Sequence, residues 1–330
     1  MKQPNLFSYA TSELSQDAFI CWLLSWASPQ YKDIDKELYN CSIRFINSLF
    51  TKSSRVAPKK IEKIKISKQD KNIDVLCILN EKYAVLIEDK TGTKSHSDQL
   101  TRYLKDVKDR DYDANNILPI YFKTKDQGDK YRHVKEDGYQ PYLRKDFLGV
   151  LQTYAGGNSI LIDYRNYLQS ISEQVESYIS LPIKEWNRNS WIGFYIRLQK
   201  EIPSAKWDYV PNPSKGFMGF WWHFDGDDAC EQYLQLEQDK LCFKIWVNNL
   251  SERRILRNKW HKKIKNTGLE SEYNLNIIKP PRFGSGSFMT VCIHEDDYRI
   301  SSEDNLIKIN ETVQRLKDAE KILTLATKNA

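Results

Sequence analysis

No stretch of this 330-residue sequence approaches the roughly 20 consecutive apolar residues that a membrane-crossing helix needs. The N-terminus lacks the apolar core of a secretory signal: its early residues are polar, and the run from Phe19 to Trp26 is short and helical in pattern. The six cysteines, at 21, 41, 77, 230, 242 and 292, include no pair with zinc-like or redox-motif spacing. Cys21, Cys77 and Cys242 sit in apolar periodic stretches, as buried thiols do, which predicts a reducing, cytoplasmic setting. Repeats and low-complexity segments are absent. The glycine-rich residues 282–287 lack the Gly-Lys-Ser/Thr of a phosphate loop. Asp225-Gly226-Asp227-Asp228, beside His223, lacks the spacing and distal Glu of a calcium loop and reads as a polar turn. No Ser/His/Asp or Cys/His arrangement stands out, so the chemistry must be sought among carboxylates and lysines.

What the chain does have is enough apolar residue, 40%, to bury real cores, and enough length for two domains. We expect them at 1–181 and 182–330. The net charge of +6 biases the surface mildly toward anionic partners, and matters most where cations cluster.

Two runs, Asn72 to Leu79 and Tyr83 to Lys90, are apolar and rich in strand formers. Asn80-Glu81-Lys82 separates them, which predicts a hairpin with a three-residue turn. In that register residues summing to 162 oppose each other, so Asp74 faces Glu88, with Cβ atoms roughly 4.5–5.5 Å apart. A two-residue turn would put Asp74 opposite Ile87 instead. Charges at the rim of an apolar sheet cost free energy unless something pairs with them. Two facing carboxylates can hold one hard divalent cation through oxygen, Mg2+ or in its place Mn2+. Such an ion polarises a phosphoryl oxygen and helps supply hydroxide. Side chains alternate along a strand, so Lys90 shares the face of Glu88, where its ammonium can orient water or stabilise developing charge. Asp89 points to the other face, and its backbone carbonyl can complete the ion's ligands. The alternative is an acidic turn and a solvated strand end.

Asp74, thirteen intervening residues, then Glu88-Asp89-Lys90 resemble the signature of the PD-(D/E)xK nuclease superfamily. Ile73 stands where the motif's name has Pro, a position that carries no chemistry. The stretch Leu6 to Trp26 is also similar to the N-terminus of bacterial members of that superfamily. The resemblance implies an α/β, restriction-endonuclease-like α-β-β-β-α-β core with a mixed sheet. It implies a metal-dependent nuclease acting on DNA in defence, restriction or repair; many relatives work as dimers. The other reading is a non-catalytic nucleic-acid-binding or assembly subunit on the same scaffold. Decayed members usually lose an acid or the lysine, and here all three motif positions remain.

The flanks supply the order of elements. Residues 11–24 read as a helix with Thr11 or Ser12 as N-cap, Glu13 in its first turn and Leu14, Ala18, Cys21 and Trp22 as its apolar stripe. The resemblance implies that Glu13 leans over the metal site; Asp17, one turn on, is the alternative, and simple capping is the other role for Glu13. A second helix, residues 34–50, carries Leu38, Ser42, Phe45, Ile46 and Leu49 inward, and the later part of 59–68 reads as the first strand. After the hairpin, Ser95 with Asp98 makes a capping-box pattern that opens a helix from about residue 95, with Leu100, Leu104 and Val107 inward. Gln99 and Tyr103, four apart on one side, resemble the Gln-x-x-x-Tyr element of the RecB-like branch, whose Gln helps position active-site groups or the scissile strand. Residues 117–122 read as the last core strand, with Lys123 and Lys125 at its end, open either to phosphate or to solvent.

Beyond Leu181-Pro182 the pattern turns to a helix over 185–201 and then strands at 207–210, 216–224, 231–237 and 241–247, an α+β accessory domain for substrate or partner binding. Phe217, Phe220, Trp221, Trp222 and Phe224 form an aromatic strand that either packs a core or stacks on bases. Residues 251–265 form a basic amphipathic helix in which Arg253, Arg254, Arg257 and Lys262 are candidate phosphate contacts and Leu256, Trp260 and Ile264 the inner stripe.

Overall fold

The computed structural model describes residues 4–91, 98–129, 131–212, 216–226 and 230–328. The chain divides into two compact units: Met1–Asp126 with Lys130–Ser172, and Gln127–Asp129 with Glu173–Ala330.

The first unit runs α1 (Glu13–Ser25), α2 (Lys36–Lys52), β1 (Ile64–Asp70), β2 (Ile73–Leu79), β3 (Tyr83–Lys90), α3 (Gln99–Lys108), β4 (Ile117–Lys123), α4 (Arg132–Glu136), β5 (Gln140–Leu143), α5 (Arg144–Gln152) and α6 (Ser159–Glu176). Its five strands form one mixed sheet in the order β1-β2-β3-β4-β5. The first three pair antiparallel, and β4 and β5 continue the sheet in parallel. Strand alternation gives the sheet two buried faces. Val75, Cys77, Val85, Ile87, Ile120 and Phe122 pack with α1, α2, α5 and α6, while Leu76, Ala84, Leu86 and Tyr121 pack with α3.

The β2–β3 hairpin has the expected turn. Leu79 pairs with Tyr83 and Val75 with Ile87, so the loop is Asn80, Glu81 and Lys82. Asn80 and Glu81 take left-handed backbone angles, φ 52° and 55°. Asparagine tolerates that region because its side chain bonds locally: Oδ1 accepts the Glu62 and Lys63 N–H groups at 2.8 and 3.1 Å, and Nδ2 donates to the Lys60 carbonyl at 2.8 Å.

Two expectations for this unit need correction. Ser12 caps α1 and Glu13 begins it, but its inward face is Gln16, Asp17, Phe19, Ile20, Leu23 and Leu24. Leu14 and Ala18 are exposed, and Cys21 and Trp22 only half-buried. Six consecutive apolar residues, Phe19 to Leu24, let more than one stripe be drawn on the same helix. Second, α3 starts at Gln99, not residue 95. Asp98 is left-handed at φ 66° and makes no capping bond, so it stands before the helix, not in its first turn. Ser95 and His96 lie outside the described residues. Leu100 and Val107 face inward as expected, with Tyr103 beside them.

The second unit holds α7 (Arg188–Glu201), β6 (Lys206–Val210), β7 (Phe217–Gly226), β8 (Cys230–Glu237), β9 (Lys240–Val247), α8 (Arg253–Lys265), β10 (Ile277–Ile278), β11 (Phe288–His294) and α9 (Ile309–Lys328). Its six-stranded sheet is antiparallel throughout, in the order β10-β11-β9-β8-β7-β6. The aromatic strand is sorted by alternation as far as Trp222, where the register against β8 shifts and His223 takes a left-handed φ of 58°. Phe220 and Trp222 enter the core with Leu234, Phe243 and the inner faces of α7, α8 and α9, while Trp221 is half-buried and Phe224 is exposed. The sequence reading assigned no element after the loop at 282–287. β11 and α9 lie there, α9 burying Val313, Leu316, Ala319, Ile322, Leu323 and Ala326 at helical spacing.

Candidate active site

Strand β2 ends its ladder just short of Asp74, and β3 carries Glu88, Asp89 and Lys90 at its end. Continuing the Val75–Ile87 register by one step sets Asp74 opposite Glu88. Lys90 Nζ lies 2.6 Å from Glu88 Oε1 and 3.8 Å from Asp74 Oδ2. From α3, Gln99 Nε2 donates to Glu88 Oε1 at 2.7 Å and to the Tyr103 hydroxyl at 3.2 Å. The Tyr139 hydroxyl, bonded to the Leu100 carbonyl at 3.0 Å, pins the start of α3. Asp74 is itself held: Gln69 Nε2 donates to Oδ1 at 3.1 Å and the Asp89 N–H to Oδ2 at 2.8 Å. Glu13 Oε1 accepts the Thr91 N–H at 3.1 Å, one residue past Lys90.

The electrostatics follow from burial. Glu88 is fully buried. Desolvation first, and the Asp74 charge second, push its carboxyl up to about 7, against the pull of Lys90. Burial works against the Lys90 ammonium, but its bond to Glu88 and the charges of Glu88 and Asp74 outweigh that, and its pKa stands above the ordinary lysine value. The charged form of Lys90 is thus favoured, and an ammonium there can stabilise charge or orient water.

The donors suit a hard cation. Glu88 Oε2 is buried with no hydrogen-bond partner among the described residues, a costly state for a carboxylate oxygen unless a proton or a metal ion occupies it. Among the described residues no three His, Cys, Asp or Glu side chains gather as a metal cluster. Asp74 and Glu88 are the two carboxylates placed where they could hold an ion. That fits Mg2+, which is commonly held by one or two carboxylates while keeping water and substrate phosphate as its other ligands.

The structure thus brings Asp74, Glu88, Lys90, Gln99 and Tyr103 together and sets Glu13 at the margin. Tyr103 is buried against Gln99, so its ring offers no surface to a base. The Asp89 side chain faces away, toward α1. Lys123, expected at an open strand end, is only 2% exposed and lies beside Lys90 in the parallel ladder, so it presents no surface to a phosphate in solution. In the second unit Arg253 donates to the Val247 and Asn248 carbonyls and to Ser287 Oγ, and Arg257 donates to the Gly284 carbonyl and lies 4.6 Å from the Phe283 ring centre. Those two guanidinium groups hold the glycine-rich loop in place; Arg254 and Lys262 are exposed.

Sequence reasoning missed Gln16 and ranked Asp17 second. Both are buried under β3. Gln16 Nε2 donates to Asp89 Oδ1, and the Asp17 carboxyl neighbours that of Asp89. Burial, then the Asp74 charge, raises Asp17 to about 6, and burial, then Asp17, raises Asp89 well above the carboxylate range. The available signal was helical spacing: Gln16 and Asp17 lie one turn before Ile20 and Cys21, and Gln16 falls in line with Ile20, Leu23 and Leu24.

With that geometry in hand, the family follows. A family model described as the PD-(D/E)XK nuclease superfamily matches residues 4–191, more than half of the chain. The chain belongs to that superfamily. Its members generally hydrolyse phosphodiester bonds and generally use divalent metal ions, commonly Mg2+. No curated protein and no solved structure matches the chain.

Proposed function

We propose that this protein is a Mg2+-dependent nuclease, with Mn2+ able to substitute, that hydrolyses DNA phosphodiester bonds on a restriction-endonuclease-like core. The observation that carries the proposal is the meeting of Asp74, Glu88 and Lys90 on one face of the sheet, with a buried oxygen of Glu88 left over. Asp74 and Glu88 would hold the ion, with the Asp89 carbonyl and Glu13 beside them. The ion supplies Lewis-acid polarisation of the phosphoryl oxygen and a more acidic bound water. Lys90 sets its ammonium where negative charge develops on the substrate. Gln99 fixes the rotamer of Glu88, and Tyr103 orients Gln99. The second unit, from about residue 173, would grip substrate or a partner through the exposed Arg254 and Lys262. Defence, restriction and repair all use such an activity.

Plasmid nicking in Mg2+ tests this. Wild type should cut, and Asp74→Ala and Lys90→Ala should each lose at least about 10²-fold, the scale seen when one preorganised stabilising group is removed. Cleavage that survives both changes would remove the assignment of the site. Binding of nucleic acid without cleavage would instead leave an assembly subunit on a nuclease scaffold.

A further inference from the structure

The geometry points to Gln16 as a positioning residue for Asp74, acting through Asp89 from the opposite face of the sheet. The importance of Asp74 rests on the nuclease reading above; the linkage to Gln16 does not.

Gln16 is buried, and its amide has one orientation. Oε1 accepts two hydroxyl donors, Thr124 Oγ1 at 2.7 Å and the Tyr164 hydroxyl at 3.1 Å. Nε2 donates to Asp89 Oδ1. Turning the amide over would set its oxygen against a carboxyl oxygen and its NH2 against two donating hydroxyls. Gln16, Asp89, Thr124 and Tyr164 are each no more than 3% exposed, so water cannot replace a lost partner, and each broken bond carries its full desolvation cost. The network ties α1, β3, the end of β4 and α6 to one amide.

Asp89 passes this constraint through the sheet. Its side chain is gripped by Gln16 on one face. Its own N–H donates at 2.8 Å to Asp74 Oδ2, the oxygen that lies 3.8 Å from Lys90 Nζ. The residue that interrupts Glu-x-Lys is thus held by its side chain and holds Asp74 by its backbone. Where Gln16 is lost, residue 89 is free to shift, and the direction of Asp74 with it.

The test uses the full chain and reads three things: residue-resolved amide exchange at Asp89 with Leu86 as internal control, Mn2+ affinity by calorimetry, and plasmid nicking. In Gln16→Ala the Asp89 amide should exchange at least about tenfold faster relative to Leu86, and Mn2+ should bind about 10-fold to 100-fold more weakly, as when a group orienting a metal ligand is removed. Nicking should fall in kcat with KM for DNA unchanged. Gln16→Glu should do worse, since it replaces a donor with an acceptor facing Asp89. Tyr164→Phe keeps the packing and removes one orienting donor, so it should give a smaller change of the same sign; it decides the matter if Gln16→Ala fails to fold. Unchanged Asp89 exchange in a folded Gln16 variant, or in Tyr164→Phe when Gln16→Ala does not fold, overturns the inference whatever the activity. Faster Asp89 exchange in the Gln16 variant, with a wild type that cuts nothing, overturns the nuclease reading and leaves this linkage standing.

Discussion

Glu88 has an ordinary carboxyl pKa of 4.5 and stands at about 7 in the fold; Asp17 has an ordinary value of 3.8 and stands at about 6. Between roughly pH 4 and pH 7 the native state therefore binds more protons than the unfolded chain. Stability contributed by these protons is complete below pH 4 and is lost as pH rises through 6 and 7. Metal-free protein should accordingly be less stable at pH 8 than at pH 5.5, by on the order of a few kcal/mol, and melt at lower temperature. Glu88→Gln should flatten that slope, and a slope of opposite sign in calorimetric scans would contradict the assignment. Mg2+ should stabilise the wild type more at pH 8 than at pH 5.5, because the ion must displace the Glu88 proton. At this scale the sequence was legible where chemistry is written as spacing. Asp74, Glu88 and Lys90 follow from strand alternation and one turn length. Helical spacing carried a signal that Gln16 faces inward, but its partners and the burial of Lys123 were not legible, because each depends on which other elements arrive beside it: α6 and the end of β4 for Gln16, the neighbouring strand for Lys123.

Among the elements, the hairpin turn bears the register. Asn80 holds it with three bonds to the strand approach at residues 60–63. Asn80→Ala should cost about 2 kcal/mol by urea unfolding, from lost bonds and an unfavourable left-handed angle for alanine. Activity of the folded fraction should survive, since no catalytic group is touched; loss of activity at full folding would show that the turn does more than set register. The stretch Phe19 to Leu24 shows the opposite case. A helix apolar on most of its circumference gives periodicity nothing to separate, so its inner face was drawn wrongly although its start, capped by Thr11 or Ser12, was plain. The C-terminal helix α9 repeats its apolar residues cleanly, and its signal was there to be read.

For the whole molecule, the basic helix α8 separates two kinds of cation. Arg254→Ala and Lys262→Ala should leave the melting temperature unchanged and each lower the salt dependence of DNA binding, log K against log salt, by up to about one unit of slope. Arg257→Ala should instead destabilise the protein by about 1–2 kcal/mol through its lost carbonyl bond and ring contact. Equal salt slopes in all three variants would remove α8 from the DNA-binding surface. The sequence changes pattern near residue 181; the two compact units divide within α6, after Ser172, with Gln127–Asp129 grouped with the later one.

The order of the first sheet leaves β1 at its rim, with Lys65 and Lys68 exposed along it. An unpaired rim is a template for a strand from another copy, and lysine is a common guard against such growth. Two copies joined through β1 would lie a strand spacing apart, about 4.8 Å, with these charged side chains standing on the faces of the joined sheet. The rim thus discourages fibre-like growth of the sheet.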